Sequence, residues 1–253
     1  MALYIIGLGL SDAKDITLKG LELAQNADKI YLENYTSVIQ CSLAELEEVI
    51  GKKIELANRD MVEQHAETTI LQAAADGDAA VLVLGDPLVA TTHVDLVQRA
   101  TKAKIPVHVV HNASIVSAIG STGLQVYKFG KTASIPFPDK DRLAETPYKI
   151  LADNRKISAH TLLLLDLRPE QKKFMTVNDA IDYLLKLEMQ VNAKVFTRDT
   201  FCIGCARLGA KDQLIKAGKA KDLLTTDFGK PVHCLIVPGP LHFMEEEILQ
   251  QFK

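Results

Sequence analysis

The sequence predicts an α/β protein of two domains, an N-terminal parallel-sheet domain over 1–111 and a C-terminal mixed-sheet domain over 112–253. Three observations predict it. Up to His111, apolar strand candidates alternate with helical patterns, and a βαβα order implies a parallel sheet covered by helices on both faces. The run Ala79–Leu84 is apolar without interruption and stops at Gly85-Asp86-Pro87, as a strand buried on both faces would. Beyond His111 the strand candidates cluster, which suggests hairpins and a mixed sheet.

In chain order, Leu3–Gly7 reads as a strand, Thr17–Gln25 as a helix and Ile30–Leu32 as a short strand. Leu43–Ile50 is helical and Lys53–Leu56 is a third strand candidate. Val62–Ala75 reads as one helix, with Met61, Val62, Thr69, Ile70 and Ala73 spaced for a single buried face. After the Ala79 strand, Val94–Lys102 is a helix with Thr91 or Thr92 as its cap, and Ile105–Val110 is a fifth strand. Ser114–Ile119 starts a small-residue helix ending at Gly120 or Gly123. Further strands are expected at Thr132–Pro136, Thr161–Leu167, Phe196–Ala206 and Val232–Val237, and helices at Arg142–Lys156, Val177–Lys186 and Phe243–Gln251. Phe137–Pro147 is the most loop-like stretch.

Composition excludes several classes. At 253 residues and 47% hydrophobic content the chain has ample material for a core. A net charge of −3, spread rather than blocked, argues against nucleic-acid binding. No apolar run approaches the roughly 20 residues that span a bilayer, so no membrane partner is expected. Met1–Leu10 has no basic segment and runs straight into a strand pattern, which points to a cytoplasmic protein without a signal peptide. Cys41, Cys202, Cys205 and Cys234 fit a reducing compartment. Cys202 and Cys205 form a lone CxxC in an apolar strand, where positions three apart point to opposite faces; buried structural thiols are expected, and no metal site.

The chemical motifs are sparse. Gly7-Leu8-Gly9 follows a strand as a dinucleotide loop would, but Asp12 stands where a third glycine belongs and would repel a pyrophosphate. Glu33 is a partial match to the ribose-binding acid of that fold, about 20 residues on. No phosphate-binding Walker loop, GxSxG elbow or HExxH pair occurs among the seven histidines, of which His93 and His233 sit beside strand ends. Gly85-Asp86-Pro87 reads either as a ligand loop beyond a parallel strand or as a sharp turn. Three strand-end loops, Gly7–Asp12, Gly85–His93 and Asn112–Ile115, are expected to line a cleft closed by the second domain. Without a nucleophile, metal cluster or acid/base pair, the pattern favours chemistry in which a cofactor carries the reactive group, as in methyl transfer from a sulfonium.

The opening YIIGLGLSDAKDITLKGLELAQNAD and the segment LGDPLVATTH resemble the tetrapyrrole-methylase-like class of S-adenosylmethionine-dependent methyltransferases. ENYTS (33–37), SIVSAIGSTGLQVYKFGK (114–131), HTLLLLDL (160–167) and HCLIVPGPLH (233–242) resemble, in order and spacing, the branch that acts in diphthamide biosynthesis. The resemblance spans nearly the whole chain, although the CIGC strand is richer in cysteine than that branch would suggest. It implies the tetrapyrrole-methylase fold with the cofactor cleft between the domains, and a homodimer. It also implies S-adenosyl-L-methionine as cofactor, with S-adenosyl-L-homocysteine as product, held by Leu10, Asp86, Val89, Ser114, Ile115, Leu165, Leu208 and His233. The implied partner is elongation factor 2, methylated on the amino group of a 3-amino-3-carboxypropyl histidine. Archaeal members are expected to stop at the trimethylammonium product and eukaryotic ones to add a methyl ester. Two readings stay open beside it: a C-methyltransferase for a tetrapyrrole such as a cobalamin precursor, and a non-catalytic protein that binds S-adenosylmethionine. No catalytic residue is identifiable from the sequence.

Overall fold

The computed structural model describes residues 1–140 and 142–253. The chain forms two compact units, Met1–Ala118 and Ile119–Lys253. The segment after the fifth strand belongs with the first unit because Asn112 anchors it there. Its side-chain amide donates to the carbonyls of Gly7 and Asp15, both at 2.9 Å.

The first unit is built on β1 (Ala2–Gly7), β2 (Lys29–Glu33), β3 (Glu55–Ala57), β4 (Asp78–Val83) and β5 (Val107–Val110), in the order β3-β2-β4-β1-β5. Every pairing is parallel. Alternate residues of β4 explain the unbroken apolar run: Ala79, Val81 and Val83 pack into one core cluster, Ala80 and Leu82 into the other. Helices α1 (Leu18–Asn26) and α2 (Leu43–Ile50) cover one face; α3 (Arg59–Glu63), α4 (Ile70–Asp76) and α5 (Val94–Lys102) cover the other. Thr17 caps α1 by accepting from the Gly20 N–H, and Ser42 with Glu45 forms a reciprocal capping box on α2.

Two local expectations are corrected in this unit. The single helix expected over Val62–Ala75 is broken between α3 and α4, because the hydroxyls of Thr68 and Thr69 donate to the His65 carbonyl, at 3.3 and 2.7 Å, in competition with the helix. Neither Thr91 nor Thr92 caps α5, whose N-cap is His93. Thr91 Oγ1 instead donates to the Pro87 carbonyl at 2.6 Å and so folds the preceding loop.

After α6 (Ile115–Ala118), the second unit carries β6 (Ala133–Ile135), α7 (Thr146–Lys156), β7 (Thr161–Leu165), a small hairpin of β8 (Leu167–Arg168) and β9 (Lys173–Phe174), α8 (Val177–Val191), β10 (Phe201–Ala206), β11 (Leu214–Lys219), α9 (Ala220–Leu223), β12 (His233–Val237) and α10 (Phe243–Leu249). Its main sheet runs β11-β10-β12-β7-β6, antiparallel except for the parallel pair β6 and β7. The mixed sheet is as expected. Strand β11 was not expected, because Lys216, Gly218 and Lys219 interrupt its apolar alternation; lysines suit its position at the sheet edge. Helix α7 begins at Thr146 rather than Arg142, and β10 begins at Phe201 rather than Phe196. The loop expected over Phe137–Pro147 includes Asp141, which lies outside the described residues.

Cys202 and Cys205 are both buried and face opposite sides of β10: Cys202 joins the core against α8, whereas Cys205 meets Cys234 on β12. Glu245, at the start of α10, is fully buried and accepts from His160 Nε2 (3.0 Å), Lys128 Nζ (2.6 Å) and the N–H groups of Gln125 and His242 (2.9 and 2.7 Å). Burial alone would raise its pKa, but these donors outweigh it and hold the carboxyl at about 2 against an ordinary 4.5.

The folded-state pKa of Glu245 lies below its unfolded value, so its contribution is complete above about pH 4.5 and is lost as pH falls toward 2. Urea titrations should show Glu245→Gln less stable than wild type at neutral pH by an amount on the order of 3 kcal/mol. The deficit should shrink steadily across that acid window. In the first unit, a methyl group at Gly7 would stand 2.6 Å from the Gly85 carbonyl and 2.8 Å from Asn112 Cβ. Gly7→Ala should therefore lower stability by about 1–3 kcal/mol, read from the shift of the urea midpoint at constant slope.

Candidate functional site

The carboxyl ends of the adjacent strands β4, β1 and β5 bring together the three loops expected to bind a ligand. Two of them join through the backbone: Gly9 N–H donates to Gly85 O at 3.3 Å, and Gly85 N–H donates back to Gly9 O at 2.7 Å. Both glycines have positive φ, +83° and +72°, which this reciprocal bridge requires and side chains disfavour. The loop after β1 is shaped by Asp15, whose carboxylate accepts from the Leu10 and Ser11 N–H groups at 3.2 and 2.7 Å. Asp12, the residue that breaks the dinucleotide pattern, accepts from the Lys14 N–H and caps a short turn of helix.

Asp86 sits at the middle of this arrangement and is buried. Its Oδ1 accepts from the Leu88 N–H at 2.9 Å, which folds the Gly-Asp-Pro loop on itself. Its Oδ2 accepts from His111 Nδ1 at 2.8 Å and from the Asn112 N–H at 3.2 Å, which ties that loop to the end of β5. Burial pushes the carboxyl pKa up, yet the three donors outweigh it and keep the group below the ordinary carboxylate range. Asp86 is therefore a fixed negative charge. Around it, Leu10, Val89 and Ile115 are half-buried apolar residues, and Ser114 is buried with its N–H received by Ser117 Oγ at 3.1 Å. The structure thus groups the five first-unit residues of the implied cofactor set.

The remaining three are grouped within the second unit. Leu164 pairs with Cys234, and Ala206 with His233, so Leu165, Leu208 and His233 share one end of the β10-β12-β7 array. Both nitrogens of His233 are engaged: Nε2 donates to the Lys230 carbonyl at 2.9 Å, and Nδ1 accepts from the Val177 N–H, the first of α8, at 3.4 Å. Burial, reinforced by the nearby Arg207 charge, lowers its pKa and keeps the ring neutral at physiological pH. Leu165 and Leu208 are buried apolar residues.

Sequence reasoning did not single out Asn112, Asp15, Arg207 or the side chain of His111. Arg207 is buried at φ +51°, and its guanidinium binds Asp212 and the carbonyls of Phe228 and Lys230, holding the loop that leads into His233. A histidine directly after an apolar strand, as in VHVVHN, was the available signal for His111. Glu33, the acid that a dinucleotide fold would offer to a ribose, is fully buried and accepts from its own loop at the N–H groups of Tyr35 and Thr36. His93 Nδ1 donates to the Pro87 carbonyl at 3.2 Å, so that ring supports the Gly-Asp-Pro loop from behind. Among the described residues no cluster of metal-ligating side chains occurs, and no helix is long and apolar enough to cross a membrane.

These loops fit a cationic, partly apolar cofactor. A carboxylate held ionised suits a positively charged group, half-buried aliphatic side chains suit an aromatic base, and the Gly85 and Ala113–Ser114 segments lie beside one another.

Comparison with known proteins supports this reading. Residues 2–224 match the family model described as tetrapyrrole (corrin/porphyrin) methylases. The chain is 45% identical to a diphthine synthase of Methanococcus maripaludis over 98% of its own length and 97% of the relative's. It is equally similar, at 45% over 99% and 98%, to an Arabidopsis thaliana protein whose name describes a diphthine methyl ester synthase. A crystal structure from Entamoeba histolytica, whose name describes a diphthine synthase, superposes with a TM-score of 0.92 at 43% identity, covering 100% of this chain and 98% of the other. With a methylase model over most of its length and near full-length relatives of one kind, the chain belongs to the tetrapyrrole methylase family and, within it, to the diphthine synthases.

Proposed function

We propose that this methyltransferase uses S-adenosyl-L-methionine to methylate the amino group of the 3-amino-3-carboxypropyl histidine of elongation factor 2, releasing S-adenosyl-L-homocysteine. The observation that carries the reading is the 45% identity, over nearly the full length, to an archaeal diphthine synthase and to the plant methyl ester synthase. The same relatives speak against the tetrapyrrole substrate and against a non-catalytic role. Cytoplasmic location and a homodimer complete the proposal.

When bound, the cofactor supplies an activated methyl group on a sulfonium, so the protein needs little beyond placement. Leu10, Asp86, Val89, Ser114 and Ile115 are proposed to hold it from the first unit, and Leu165, Leu208 and His233 from the second. Asp86 would attract its positive charge, and the neutral His233 would add a packing surface without opposing that charge. The acceptor amine attacks only when neutral, so the residues that receive it must disfavour the ammonium form.

Mixing the protein with S-adenosylmethionine and elongation factor 2 carrying the unmethylated intermediate should add methyl groups to the histidine-containing peptide. Mass spectrometry reads them directly, three for the trimethylammonium product and a fourth for the ester. No mass gain, with transfer instead to a corrin precursor, would sink the proposal. Asp86→Ala should weaken cofactor binding at least tenfold by calorimetry, about 1.4 kcal/mol; unchanged affinity would remove Asp86 from the binding set.

A further inference from the structure

The proposed reaction consumes a neutral amine, yet the acceptor nitrogen is an ammonium at physiological pH. Each methylation of the nitrogen therefore needs a proton removed. At the carboxyl ends of the parallel strands, His111 has the arrangement of a base. His111 stands directly after β5, and its Nδ1 lies 2.8 Å from the buried Asp86 carboxylate. A carboxylate held below the ordinary range accepts only, so Nδ1 carries the hydrogen of this bond, which leaves Nε2 as the ring position that can take up a proton. The ring is 68% exposed, in contrast to the other two histidines that the sequence singled out. Both nitrogens of His233 are engaged, and His93 is fully enclosed. His111 contacts Asp86 and precedes Ser114–Ile115 by three residues in the same loop, all three being members of the implied cofactor set.

We propose that His111 is the general base of the methyl transfer, oriented by Asp86; this rests on the reading of the reaction given above. In the step assigned to it, Nε2 takes a proton from the acceptor ammonium. The N–H bond breaks, its electron pair stays on the amine nitrogen as the attacking lone pair, and the positive charge passes to the imidazole ring. Asp86, in contact with Nδ1–H, stabilises that imidazolium, as a carboxylate does for a histidine base generally. The proton then leaves to water from the exposed edge of the ring, which readies Nε2 for the next methylation. Asp86 thus serves two ends: a negative charge facing the cofactor loops and an orienting acceptor for the base.

The test uses full-length protein with His111→Ala and His111→Asn. Both should bind S-adenosylmethionine within threefold of wild type by calorimetry, because Asp86 keeps the Leu88 and Asn112 donors. Single-turnover transfer to modified elongation factor 2 should fall by about a hundredfold to ten-thousandfold. Added imidazole should restore transfer in His111→Ala, since the ring it replaces is solvent-exposed. Asn retains a donor for Asp86 but offers no base, so it should not restore the rate. A rate within threefold of wild type in either variant overturns the inference, as does a loss that imidazole leaves unchanged. Nitrogen NMR of the cofactor-free protein gives a readout apart from turnover: His111 should be the Nδ1–H tautomer, and finding Nε2–H overturns the assignment. If the wild-type protein transfers no methyl group at all, the reading of the reaction itself fails, and the inference falls with it.

Discussion

The site depends on how one buried negative charge is satisfied. Asp86 cannot be enclosed as a carboxylate without donors, and the nearest ones come from its own loop and from the end of β5. Meeting that need fixes the path of both segments more tightly than apolar contact would, because each donor must approach within hydrogen-bonding distance along a defined direction. The loop after β1 is then fastened by main-chain atoms, through the Gly9–Gly85 bridge and the two carbonyls held by Asn112. A charge, a backbone bridge and one amide side chain together account for the geometry at this end of the parallel sheet.

The second unit solves its local problems with the opposite electrostatics. Its contribution to the implied cofactor set is two buried leucines and a histidine kept neutral by burial, with both ring nitrogens spent on the protein. Arg207, a buried cation nearby, is turned toward Asp212 and the carbonyls of Phe228 and Lys230. The residues proposed to hold the cofactor thus carry an ionised group in the first unit and none in the second.

Much of this was legible in the sequence. The apolar run into Gly-Asp-Pro identified a strand buried on both faces, and the alternation of strands and helices up to His111 identified the parallel sheet. What periodicity could not show is where side chains bond across the chain. The break after α3 depends on threonine hydroxyls competing for one carbonyl, and β11 is masked by edge lysines. His111 looked like any lone histidine, since its significance lies in a hydrogen bond to a residue 25 positions earlier. Arg207 was hidden for the same reason: beyond the nearby Asp212, the carbonyls it binds belong to Phe228 and Lys230, 21 and 23 residues further on.

The placement of the cysteines has a practical consequence. Three of the four thiols belong to β10 and β12 in the second unit and are enclosed, with burial raising the pKa of Cys202 to about 12; Cys41 in the first unit is half-exposed. A thiol-selective alkylating reagent therefore meets one accessible thiol in the native chain, and further labelling must wait for the sheet of the second unit to open. The ratio of fast to slow labelling makes the protein its own reporter of local opening, without any engineered probe.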